Sequence, residues 1–218
     1  PDFFDLSTLL HFTGWTVFAH VVSEHIGKPL RPWYLALVMI GISCAQLPVV
    51  GSVAPLPHHI IGALLALMFW TLIRQRTERT QIKLLFCLLL LSVSLRGLYP
   101  FDLSESADID FHWTPFFGFL DGSRLINVHM LFLKVFFYAS IIWFLQKTGT
   151  RFPKATLLCL IWVILIEIAQ FWYIGHTPES TDPIIVLGIA VMMKIFIQEH
   201  EEQPKVYHGP ERRSAGVR

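Results

Sequence analysis

The sequence predicts an all-α fold, a multi-pass transmembrane bundle of about seven helices, and three observations carry that prediction. Of 218 residues 54% are hydrophobic and only 15% charged, whereas soluble domains average about a quarter charged. The apolar residues come in unbroken blocks. Residues 33–73 hold no Asp, Glu, Lys or Arg, a stretch about twice the ~20 residues that one spanning helix needs, with Pro55 and Pro57 in its middle where a turn falls. The charged loops fall into two alternating sets, basic after the first, third and fifth blocks and acidic after the fourth and sixth, as expected of a chain that crosses a bilayer repeatedly.

Taken in order, the spans fall at 6–25, 33–50, 58–73, 82–98, 126–146, 155–173 and 183–198. The fourth and seventh are the weakest candidates, because Arg96 and Lys194 lie within them. Lys28 and Arg31 follow the first span, Arg74, Arg76, Arg79 and Lys83 the third, and Lys147, Arg151 and Lys154 the fifth. Lys205, Arg212, Arg213 and Arg218 lie in the tail. The loop between spans four and five is acidic, with Asp102, Glu105, Asp108, Asp110 and Asp121 against Arg124, and the next hairpin carries Glu179 and Asp182. The excess of basic residues on cytoplasmic loops then puts the Pro1 end outside and the C-terminus in the cytoplasm. Residues 99–125 contain Phe111, Trp113, Phe116, Phe117 and Phe119, a composition expected of an outer interfacial segment. Residues 199–218 read as a disordered cytoplasmic tail.

Residues 27–73 and 149–197 share a pattern. Each opens on a Gly and a basic–Pro turn and runs an apolar helix to Ala-Gln (Ala45-Gln46, Ala169-Gln170). A Gly- and Pro-containing hairpin follows, then Ile-Ile and a Gly (Ile60-Ile61-Gly62, Ile184-Ile185 and Gly188). Two apolar hairpins can look alike by chance. Read as a duplication, the pattern predicts a parallel internal repeat, residues 1–81 forming a degenerate copy with three spans and 82–198 a second with four. The counterpart of span four would then lie upstream of Pro1.

Ionisable groups inside a bilayer cost several kcal/mol unless paired or wet, so each needs a reason. Lys134 and Glu167 lie about seven residues below the outer ends of adjacent spans, roughly 10 Å deep at ~1.5 Å per residue, and are expected to pair. Such a pair fixes helix register or serves a ligand or proton. Arg96 can snorkel to the outer face and meet a lipid phosphate, and Lys194 can snorkel to the inner face.

Cys44, Cys87 and Cys159 lie in apolar blocks, as fillers rather than a disulfide framework. His20 and Glu24 stand one turn apart, but no third ligand stands at a metal-site spacing, so no metal is expected. A single His on a helix, such as His11, His20 or His58, can ligate a tetrapyrrole; the sequence neither predicts nor excludes one. The charge pattern is not that of a nucleic-acid surface. No nucleophile elbow, phosphate loop or paired-Cys motif is present, and no catalytic residue is assigned.

Leu98-Tyr99-Pro100-Phe101-Asp102, Trp113-Thr114-Pro115-Phe116, and Asn127 ahead of Leu131-Phe132 resemble the opening segment of VanZ-like membrane proteins. Glu167-Ile168-Ala169-Gln170, then Gly175-His176-Thr177-Pro178, Asp182 and Gly188, resemble the closing helix pair and hairpin of that family. Asp5, His11-Phe12 and Gly14-Trp15 resemble a further segment of it. The resemblance covers about residues 98–197. His176 stands where the family usually has Arg, Val186 where Asn is usual, and Lys134 where Pro is common. The first-half hairpin lacks the acidic residue, with His58 and His59 nearby. The family takes its name from a protein implicated in low-level teicoplanin resistance. The resemblance implies a multi-pass protein of the bacterial cytoplasmic membrane and no defined reaction. It suggests that Glu167, Gln170, His176 and Asp182, facing Arg96, Lys134 and Asn127, bind a lipid-linked or cell-wall ligand. Two other functions fit the sequence: an accessory or scaffold subunit of a larger membrane complex that carries pigment or haem, and a small transporter. The transporter lacks the interrupted helices of a midplane site.

Overall fold

The computed structural model describes residues 6–28, 30–46, 57–103, 111–116, 124–173 and 178–202. They form seven helices and no strand, with two isolated bridges, Leu103 to Tyr173 and His112 to Glu179. The helices are α1 (Leu6–Ile26), α2 (Pro32–Gln46), α3 (Pro57–Ile73), α4 (Glu78–Leu98), α5 (Arg124–Lys147), α6 (Phe152–Gln170) and α7 (Thr181–Glu202). Among the described residues three helical stretches are long and apolar enough to cross a membrane: Glu78–Leu98, Met130–Lys147 and Phe152–Gln170.

Each predicted span lies on one helix, and the ends differ for identifiable reasons. α1 stops at Gly27, whose φ of +69° is a left-handed terminator that costs glycine little. α4 begins four residues early because Thr77, in an extended conformation, opens a helix that Glu78 can start with its carboxylate near the N-terminal dipole. The boundary drawn between residues 81 and 82 therefore falls in the first turn of α4. α6 starts at Phe152, with Pro153 in its first turn where a missing N–H costs nothing. It ends at Gln170 rather than 173, since Phe171, Trp172 and Tyr173 turn back with N–H groups on Ile168, Ala169 and Gln170. α7 runs on to Glu202, so residues 199–202, expected in the tail, are helical. The other tail residues lie outside the described ones.

α1 packs chiefly on α3 and then α4, α2 packs on α3, and α5, α6 and α7 pack on one another. α4 joins the two sets, since it also touches α5 and α6. The buried stripes follow the helical period. On α6 the stripe is Ala155, Cys159, Val163 and Glu167, every fourth residue. On α4 it is Ile82, Leu85, Leu89, Ser92 and Val93. The opposite face of α6 leaves Leu157, Leu158, Ile161, Ile164, Leu165 and Ile168 exposed, an apolar face suited to lipid.

Polar ties also fasten the helices to one another. Thr13 Oγ1 and Ser92 Oγ are 2.6 Å apart between α1 and α4. Trp70 Nε1 donates to Leu30 O at 2.9 Å, closing α3 onto the turn after α1. Lys147 at the end of α5 pairs with Glu24 at the end of α1.

Candidate functional site

Along α4, α5 and α6 the inward stripes run into a charged residue at the same end of the bundle. Val93 is followed by Arg96, Phe137 and Tyr138 are preceded by Lys134, and Val163 is followed by Glu167. Alternate helices run in opposite directions, so the ends of α4 and α6, the first half of α5 and the start of α7 meet there. Between them lies a cleft of about 440 Å³. Its polar lining comprises Arg96, Tyr99, Lys134, Tyr138, Glu167, Gln170, Glu179, Thr181 and Asp182.

The expected pairing of Lys134 with Glu167 is corrected. Lys134 Nζ lies 2.5 Å from Asp182 Oδ1, and Tyr138 Oη donates to Asp182 Oδ2 at 2.6 Å. Asp182 is buried and thus has a cation on one oxygen and a hydroxyl on the other. The physical reason is where α7 begins. Pro183 is tolerated in a first helical turn, so the helix opens at Thr181 and brings Asp182 to Lys134. Glu167, also buried, accepts the Glu179 backbone N–H at 3.0 Å through Oε2. It therefore fastens the hairpin after α6 rather than the lysine.

Other bonds hold the cleft walls. Gln170 Nε2 donates to Gly97 O at 2.8 Å, tying the end of α6 to α4 beside Arg96. A Cβ at Gly97 would lie 2.5 Å from Ile166 Cγ2, so the two helices touch there because residue 97 has no side chain. Thr181 Oγ1 donates to Glu179 Oε2 at 2.6 Å and accepts the Phe116 N–H at 2.8 Å. His112 N donates to Pro178 O at 3.0 Å, Ser180 N to His112 O at 3.3 Å and Ser180 Oγ to Trp113 O at 2.8 Å. Residues 112–116 of the aromatic segment thus lie along the start of α7, while Phe111 stacks on Phe171 and Phe101 lies edge-on to Tyr173 in the turn after α6.

Arg96 differs from its neighbours. Its Nη2 contacts Met130 Sδ at 3.0 Å, and among the described residues no carboxylate lies within ion-pair distance of it. A thioether is a weak acceptor, so most of the guanidinium donors remain unused.

Five of the seven expected ligand residues, Arg96, Lys134, Glu167, Gln170 and Asp182, therefore line one cleft. Asn127 lies in the first turn of α5 but does not line it. His176 lies outside the described residues. Tyr138, Glu179, Thr181, Gly97 and Met130 were missed. For Tyr138 a signal existed, since it stands four residues after Lys134 and must share its face.

The histidines sit elsewhere. His20 is buried, with Nδ1 at 3.2 Å from Gln81 Oε1 and its ring among Trp70, Trp143 and Phe144. His20 Nε2 and Glu24 Oε2 are 4.0 Å apart, and Glu24 is engaged by Lys147. His11 Nδ1 bonds Ser7 O at 2.7 Å, and the ring stacks on His59 at 3.9 Å. His58 lies in the first turn of α3, and its side chain is outside the described set. Among the described residues no three His, Cys, Asp or Glu side chains converge as a metal site would require.

The chain matches no protein-family model, no curated protein and no solved structure.

Proposed function

We propose that this chain is a VanZ-like protein of the bacterial cytoplasmic membrane whose cleft binds the polar head of a lipid-linked or cell-wall ligand. In this reading all seven helices cross the bilayer, with the Pro1 end outside and the tail in the cytoplasm, and the parallel repeat relates the two halves. One observation carries the proposal. Four helices deliver ionisable and hydrogen-bonding groups into an open cleft at one end of the three segments apolar enough to span a bilayer. That end of a spanning helix lies at headgroup depth, where a ligand can keep its chain in lipid and its head in the protein. The site residues hold one another in place through Asp182, Glu167 and Gln170, so the cleft is preorganised.

The test is to purify the full chain from bacterial membranes in mild detergent and quantify the small molecules it carries. A polar-headed ligand near one equivalent is expected, and its loss in Glu167→Gln with an unchanged unfolding midpoint. Wild-type protein carrying only the bulk lipid mixture, or a stoichiometric protein partner and no ligand, would refute the reading.

A further inference from the structure

Resting on the reading of the cleft as a ligand site, we infer that the ligand head is a zwitterionic phosphate ester: its phosphate sits on Arg96 and its ammonium against Glu167 and Glu179. The formally charged side chains among the described residues lining the cleft are Arg96, Lys134, Glu167, Glu179 and Asp182. Lys134 and Asp182 neutralise each other at 2.5 Å, and Tyr138 satisfies the second oxygen of Asp182. What remains is one cation facing two acids, none of them paired with another.

Among the described residues Arg96 hydrogen-bonds only the Met130 sulfur. Its planar fork matches two phosphate oxygens and is wasted on a thioether. On the acid side, Glu167 Oε2 takes the Glu179 N–H and Glu179 Oε2 takes the Thr181 hydroxyl. The other oxygen of each carboxylate has no hydrogen bond among the described residues. These groups are close along the helices. Gln170, one turn beyond Glu167, donates to Gly97, the residue after Arg96, at the point where α4 and α6 touch.

Opposite charges that share a cleft without contact leave room for a dipolar group lying against both. A purely anionic head would meet two unpaired acids, and a purely cationic one would leave Arg96 unmatched. A primary ammonium supplies three donors for the free carboxylate oxygens, which a quaternary ammonium does not. Phosphoethanolamine has both features, whether as a lipid headgroup or as the free ester.

The experiment uses the delipidated full chain in detergent, with native mass spectrometry after addition of phosphatidylethanolamine, phosphatidylglycerol, phosphatidylcholine or soluble phosphoethanolamine. Phosphatidylethanolamine is expected to be retained at least about tenfold better than phosphatidylglycerol or phosphatidylcholine. Arg96→Gln should lose retention, Arg96→Lys should keep part of it, and Glu167→Gln should lose the preference over phosphatidylglycerol. Equal retention of phosphatidylglycerol by the wild-type chain overturns the proposal without recourse to any variant. Binding of soluble phosphoethanolamine alone supports the headgroup chemistry and assigns a free ester as its source. Retention of some other polar lipid, lost in Glu167→Gln, overturns the zwitterion and leaves the ligand cleft standing. Retention of nothing ends both.

Discussion

An ammonium at the end of an apolar bundle needs an anion, and Lys134 has one in Asp182, whose second oxygen is held by Tyr138. The lysine side chain is 37% exposed and that of the aspartate 11%, so the pair lies between the surface and buried regimes. Asp182→Asn is expected to cost about 1–3 kcal/mol, because the lysine loses its charge partner. Tyr138→Phe should cost about 1–2 kcal/mol through one bond to a charged acceptor. Unfolding midpoints in detergent read both. The double variant Lys134→Met with Asp182→Leu should be more stable than Lys134→Met alone, and simple additivity would show that the two are uncoupled. Sequence spacing shows why the site was only partly legible. Counting residues put Lys134 and Glu167 at one level on neighbouring helices, and both do reach the cleft. It could not give the path of the hairpin that delivers Asp182 to one and the Glu179 N–H to the other, since depth along a helix says nothing about how a loop folds back.

The element-scale lesson is about helix ends and close approaches. Apolar content marked the middle of every helix because it records the length that lipid or core must cover. The ends were decided by other physics: Thr77 and Glu78 start α4 outside its apolar block, and polar residues carry α7 to Glu202. Conversely, Phe171-Trp172-Tyr173 continue the hydropathy of α6 but not its helix. Close approaches were legible only as bare glycines. Gly62 lets α3 sit on α1, where a Cβ would lie 2.7 Å from His11 Cβ and 2.9 Å from Thr8 O. Gly97 does the same for α4 and α6. Gly97→Ala should cost about 1–3 kcal/mol, as overpacking does, and part α4 from α6 enough to lose the Gln170 bond. Ile166→Ala in the same chain removes the Cγ2 in question and leaves Cβ at 3.8 Å, an ordinary contact, so it should restore both the midpoint and ligand retention. Failure of that rescue would mean that the contact does not shape the cleft. Gly62→Ala has no such remedy, because the Thr8 carbonyl it meets is backbone.

At the scale of the whole molecule, the cleft serves an outward-facing ligand only if its end of the bundle faces outward. The loop charges supply the expectation. Arg74, Arg76, Arg79, Lys147, Arg151 and Lys154 cluster where α3 meets α4 and α5 meets α6, at the end opposite the cleft. Basic residues stay on the cytoplasmic side because they are the ones not translocated. Trp113, 81% exposed beside the start of α7, and Thr148, exposed in the turn after α5, report the two ends. In a chain with Cys44, Cys87 and Cys159 replaced, Trp113→Cys should react with a membrane-impermeant maleimide on intact cells. Thr148→Cys should react only after permeabilisation. The reverse pattern would turn the cleft to the cytoplasm and exclude a cell-wall ligand while leaving a lipid of the inner leaflet. Labelling of both from one side would mean that α5 does not cross the bilayer. The apolar stretch Met130–Lys147 would then have to be covered by protein instead of lipid. The cleft would lose its position at headgroup depth, and with it the reason to assign it a ligand anchored in the membrane.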